Sequence, residues 1–215
     1  MSRDCHCVPS TIIGCFFCAQ GCSSNKLGSK LAFFPPAPAS YGIVHARRNE
    51  DAPARQMARY TNPAMDDEWG DVLALFELVM LPTARGQHMC AFYIAHPEAK
   101  VTLLVSHGNA LDVGLLVPFA RHLSTELKVN IMAYDYTGYG CSSGEPNIQD
   151  TYADIEAVVD YLVQQRGKDP ARIILYGQSV GSGPTCHYVS QVSGGSRGGT
   201  SGGSSGGGGG GSSGG

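Results

Sequence analysis

The chain has 215 residues, of which 42% are hydrophobic, long enough for one domain with a substantial core. A formal net charge of -3 with no basic stripe leaves no electrostatic case for nucleic acid. Of the 23 residues from Ser193 to Gly215, 14 are Gly and 7 are Ser, a composition that cannot bury apolar surface and reads as a disordered tail.

The leader, residues 1–30, holds five cysteines, Cys5, Cys7, Cys15, Cys18 and Cys22, among Ile12, Ile13, Phe16 and Phe17. Its apolar run falls far short of the roughly 20 residues that a spanning helix needs. A zinc site built on Cys5, His6, Cys7, Cys15 and Cys18 matches no finger spacing, so no metal is expected. The run from Thr11 to Ala19 fits the apolar part of a signal peptide, although its flank carries only Arg3 against Asp4. Serine after the initiating methionine excludes N-myristoylation. Multiple S-acylation is the functional reading, because several acyl chains give stable anchoring where one gives marginal binding. An unmodified disordered leader is the bland alternative.

Residues 31–71 read as an extended junction, "LAFFPPAPASY", followed by a solvated polar loop of mixed charge. The body, residues 72–191, alternates in type, and residues 192–215 are the tail. "LFELVML" from Leu75 and "HMCAFYIAH" from His88 form an antiparallel hairpin around Gly86. "VTLLVS" at 101–106 and "VNIMAYD" at 129–135 are continuous apolar runs, as expected of strands covered on both faces. Between them Leu115, Phe119, Leu123 and Leu127 recur every four residues behind a capping Asp112, which predicts a helix. A second helix carries Tyr152, Ile155, Val159 and Leu162 and stops at Gly167. "RIILYG" at 172–177 is a further strand, with a helix starting at Ser179. Strands and helices in this order predict an α/β fold with a mostly parallel sheet and an N-terminal antiparallel hairpin.

Gly177-Gln178-Ser179-Val180-Gly181 fits G-x-S-x-G and falls between a predicted strand and a predicted helix, where that motif makes a tight turn. The turn lifts the Ser179 hydroxyl off the sheet edge, and the Val180 N–H at the helix start can face a developing oxyanion. The second piece is His107-Gly108-Asn109 after the strand at 101–106. In α/β hydrolases this loop supplies the other oxyanion N–H, here from Asn109, and His107 is read as a buttress of the loop. Asp135 and Tyr136 open a structural turn. The eight cysteines are unevenly placed and the body is read as reduced and intracellular; no cofactor is expected.

Together "LAFFPPAPASY", "SHGNALDVG", "YDYTGYGCSSGEP", "YADI" and "ILYGQSVGSGPT", behind a cysteine cluster, resemble the α/β-hydrolase domain-containing protein 17 family from about residue 30 to about residue 190. The resemblance implies an α/β-hydrolase fold and a membrane-attached serine hydrolase that removes palmitate from protein cysteines. Its partners would be S-acylated membrane proteins and the membrane surface, at the cytoplasmic face of the plasma or endosomal membranes. It also implies Ser179 as nucleophile and the N–H groups of Asn109 and Val180 as oxyanion donors. The catalytic order in this fold is Ser, then Asp or Glu, then His. After Val180 the chain has no Asp or Glu, and its only histidine is His187. Eight residues of helix carry His187 about 12 Å from Ser179. The chain is therefore expected to be C-terminally truncated and inactive as written. Two alternatives stay open, a membrane-tethered pseudoenzyme and a lipid esterase or serine peptidase.

Overall fold

The computed structural model describes residues 24–46 and 55–195. The five leader cysteines and residues 196–215 lie outside that range. In chain order the elements are α1 (Ser24–Ala32), β1 (Tyr41–Ala46), β2 (Arg55–Tyr60), α2 (Pro63–Leu73), β3 (Glu77–Pro82), β4 (His88–Ile94) and β5 (Thr102–Ser106). Then follow α3 (Val113–Leu127), β6 (Asn130–Tyr134), α4 (Ile148–Asp160), β7 (Ile173–Gly177) and α5 (Ser182–Gly195). A π-helical turn at Tyr161–Gln165 extends α4, and Gly167 follows it at φ +61°.

Five strands form one sheet in the order β3-β4-β6-β5-β7, antiparallel at β3/β4 and β4/β6 and parallel at β6/β5 and β5/β7. Alternate residues of each strand serve opposite faces. Phe92, Val105, Ile131 and Ala133 join the core beneath α3, while Met89, Leu104, Met132 and Tyr134 join the one beneath α4. Both faces are covered, which explains why β5 and β6 are buried along their whole length. Among the described residues β7 pairs with β5 alone, and Ile174 and Tyr176 are 50% and 38% exposed there.

The predicted helices form, with one change of face. Asp112 caps α3 by accepting from Leu115 N at 3.1 Å. The buried side is Val113, Leu116, Val117, Ala120 and Ser124, whereas Phe119 and Leu127 are exposed. A strict four-residue repeat drifts about 40° per step against a 3.6-residue turn, so that row winds out to solvent. Pro118 sits inside α3 and leaves the Gly114 carbonyl without its helical donor. The buried Tyr60 hydroxyl donates to that carbonyl at 2.9 Å, which ties β2 to the helix.

The polar loop expected within residues 31–71 is a correction. β1 and β2 pair as a separate antiparallel hairpin, and α2 follows with Pro63 at its first position and Asn62 Oδ1 accepting from Ala64 N at 3.0 Å. Met65, Trp69, Val72 and Leu73 make a helical stripe against the core, diluted in sequence by Asp66, Asp67, Glu68 and Asp71. β2 is mostly exposed, so no alternation marks it. At the other boundaries, α1 crosses residue 30, and α5 carries the helix to Gly195 rather than stopping at 191.

Asp154 on α4 is fully buried and accepts from Thr137 N at 2.8 Å and from Thr137 Oγ1 at 2.9 Å. Burial pushes its pKa up to about 7, against the two Thr137 hydrogen bonds that pull it down. A carboxyl whose folded pKa lies above its unfolded value loses stability as pH rises between the two, here from about 4 to about 7. Asp154→Asn keeps a donor and an acceptor for Thr137 and cannot ionise. The wild type should lose stability relative to this variant over that window in urea titrations; a constant difference across pH 4 to 7 would refute the assignment.

Candidate active site

The turn after β7 is built around two glycines that have no room for a side chain. A Cβ on Gly177 would lie 2.6 Å from Gly181 O, and one on Gly181 would lie 2.1 Å from Ser106 O. Ser179 between them has φ +52°, a left-handed conformation that is rare for a residue with a side chain and marks stored strain. Ser179 is exposed and opens a single 3-10 turn, Ser179–Gly181, where the sequence predicts the start of an α-helix. Gln178 N donates to Ser106 O at 3.0 Å, so the turn is pinned to the end of β5. The Ser182 hydroxyl closes it by donating to Ser179 O at 2.6 Å.

The loop after β5 lies directly beside this turn. A Cβ on Gly108 would be 3.6 Å from the Gln178 side chain, which brings the His107-Gly108-Asn109 and Gly177-to-Gly181 motifs together. Among the described residues, no backbone carbonyl outside helices and strands accepts from Asn109 N. The Asn109 side chain has a separate task. Its Oδ1 accepts from Phe34 N at 2.9 Å and from the Tyr139 hydroxyl at 2.7 Å, and its Nδ2 donates to Ala32 O at 2.6 Å. Segment 32–34, at the end of α1, is thus strapped to the loop. Val180 packs against the core beneath α4.

His107 is fully buried. Its Nδ1 donates to Gly108 O at 2.8 Å, and its Nε2 lies 3.3 Å from Asp135 Oδ1, out of line for a hydrogen bond. The Tyr136 hydroxyl donates to His107 O at 2.6 Å. Asp135 is more than a turn residue: it accepts from Tyr41 Oη at 2.5 Å and from Val113 N at 2.9 Å while fully buried. Burial raises its pKa, and His107 and Tyr41 oppose that shift. This carboxylate joins β1, the start of α3 and the loop at 107–109. The sequence signal for it was only an Asp at the end of a buried strand; its partners lie 22 to 94 residues away.

His187 is half-buried on α5 and stacks on Tyr152 with ring centroids 3.7 Å apart. The geometry thus assembles a strained exposed serine and an adjoining backbone loop, with both nitrogens of His107 turned inward.

A mixed sheet flanked by helices, with a left-handed serine in a G-x-S-x-G turn after its parallel edge strand, is the architecture of the α/β-hydrolase fold. The solved structure of an alpha-beta hydrolase from Vibrio vulnificus shares the fold with a TM-score of 0.53 at 21% identity, over 62% of this chain and 48% of that one. The family model described as serine aminopeptidase, S33, matches residues 97–198. In sequence the chain is similar to alpha/beta hydrolase domain-containing protein 17B of Homo sapiens, 38% identical over 176 residues. That match takes in 80% of this chain and 58% of the relative. The protein 17C of Xenopus laevis is 37% identical over 187 residues, 81% of this chain and 60% of the relative. The chain therefore spans about 58–60% of the length of these curated relatives.

Proposed function

We propose that this chain derives from a serine hydrolase acting as an acyl-protein thioesterase, with Ser179 as nucleophile and the N–H groups of Asn109 and Val180 as oxyanion donors. The observation that carries the reading is Ser179 at φ +52° on an exposed turn against the His107-Gly108-Asn109 loop. The strained turn projects the hydroxyl away from the sheet, and preorganised N–H groups stabilise the charge that forms when it attacks a carbonyl. The choice of a palmitoyl thioester as substrate rests on the resemblance to the protein 17 family. The test is to sequence the transcript beyond the codon for Gln191. A product that supplies an acid and a histidine should cleave a palmitoyl-protein thioester faster than lipid esters or peptides. Preference for a lipid ester or a peptide would overturn the substrate class.

The site would work at the cytoplasmic face of plasma or endosomal membranes, on S-acylated membrane proteins. Among the described residues no helix is long and apolar enough to cross a membrane. Thioacylation of Cys5, Cys7, Cys15, Cys18 and Cys22 would supply the anchor. Changing all five to Ser should move most of the chain from the membrane to the soluble fraction, and unchanged membrane association would rule thioacylation out as the anchor.

A further inference from the structure

A cleft of about 510 Å³ lies far from Ser179. Ile94 in its wall pairs with Ile131 at the N-terminal end of the parallel strands, whereas Ser179 follows their C-terminal end. Its volume falls within the range of about 300 to 1,000 Å³ typical of small-molecule sites.

Three arginines line it, Arg55, Arg121 and Arg166, with Glu77 as the one carboxylate among its lining residues. Arg166 is held in place: Nη2 pairs with Glu77, Nε donates to the Tyr161 hydroxyl at 2.7 Å, and the guanidinium lies 4.5 Å from the centroid of Tyr93. Arg121 Nη1 donates to the neutral Thr125 hydroxyl at 2.8 Å, and Arg55 has no carboxylate partner among the described residues. Lys168 adds a further cation 5.9 Å from the same Tyr93 ring. Glu77 offsets one guanidinium, so two remain uncompensated in a chain of net charge -3. Leu75, 51% exposed, with Ile94 and Pro97 gives the cleft an apolar side.

We infer that this cleft binds a small soluble phosphate ester, its phosphate on Arg55, Arg121 and the pre-set Arg166 and its organic part on Leu75 and Ile94. Guanidinium groups match phosphate oxygens in geometry and stay charged at every physiological pH. A free phosphate ester fits better than a lipid headgroup, because segment 32–34, which follows the cysteine-rich leader, attaches at the opposite end of the sheet through Asn109. No residue of the Ser179 site lines the cleft, so the anion site is independent of the hydrolase reading, and only the preference for a free ester over a lipid headgroup rests on the leader as the membrane anchor proposed above.

The test is isothermal titration of the full chain, held in a non-ionic detergent, with ADP and with pyrophosphate. Parallel flotation uses phosphatidylcholine vesicles with and without phosphatidylinositol bisphosphate. Both soluble anions should bind. Arg121→Gln and Arg55→Gln should each weaken binding about tenfold, as expected for loss of a charged hydrogen bond. Lys128→Gln removes the same charge from an exposed pair with Glu98 and should leave affinity unchanged. No heat with either anion, equal weakening by Lys128→Gln, or binding confined to the phosphoinositide vesicles would each overturn the inference.

Discussion

Incubated with a fluorophosphonate probe and a palmitoyl thioester, the 215-residue chain should behave almost like its Ser179→Ala variant. A serine hydroxyl at its ordinary pKa is a weak nucleophile and needs a neighbour to take its proton and return it to the leaving group. His107 is fully buried with Nδ1 on Gly108 O and Nε2 turned to Asp135, so it does not face the serine. His187 is stacked on Tyr152. In serine proteases, loss of a triad member costs on the order of 10⁴ to 10⁶ in turnover, with a residue of catalysis left by the oxyanion hole. A small Ser179-dependent rate is therefore compatible with this reading. Strong labelling or rapid turnover that disappears in Ser179→Ala would mean that a base reaches Ser179 by a route absent from this geometry.

Gly181→Ala should destabilise the fold by about 3 kcal/mol, at the upper end of overpacking effects. The added Cβ would lie 2.1 Å from Ser106 O and 2.7 Å from the Tyr136 hydroxyl. Neither can yield cheaply. Ser106 O is the acceptor that pins Gln178 N, and the Tyr136 hydroxyl holds His107 O. Relief would push the serine turn away from β5 and so separate it from the loop at 107–109. Gly183→Ala, two residues on, is the control, since nothing lies within 4 Å of the new methyl group. In the first turn of α5 it should be neutral or stabilise by up to about 1 kcal/mol. Urea denaturation of the two variants side by side decides the matter, and equal midpoints would show that the turn is looser than its contacts imply.

Sequence by itself determined the elements whose signals are local. β5 and β6 show as apolar runs because both their faces are covered, α3 begins at its Asp112 cap, α4 shows in its row of apolar residues, and the Gly177-to-Gly181 turn is written in its own glycines. The hairpin β1/β2 and helix α2 were illegible for the opposite reason. The exposed faces of β2 and α2 are charged, and scattered residues, Tyr41, Ala58, Tyr60, Met65, Trp69, Val72 and Leu73, mark the side that packs on the core. Which side of α3 is buried was likewise a matter of packing, since its leucine row and its core row are both apolar.

At the site, residue types and spacing named Ser179, Asn109, Val180 and His107, but only the tertiary structure decided how they are held. Asp135 gathers Tyr41 Oη and Val113 N from 94 and 22 residues away, and the Asn109 side chain binds Ala32 and Phe34 across 77 and 75 residues. Such contacts leave no periodic trace, because a hydrogen bond between distant segments depends on where the folded sheet delivers two side chains and not on the spacing of either one along the chain.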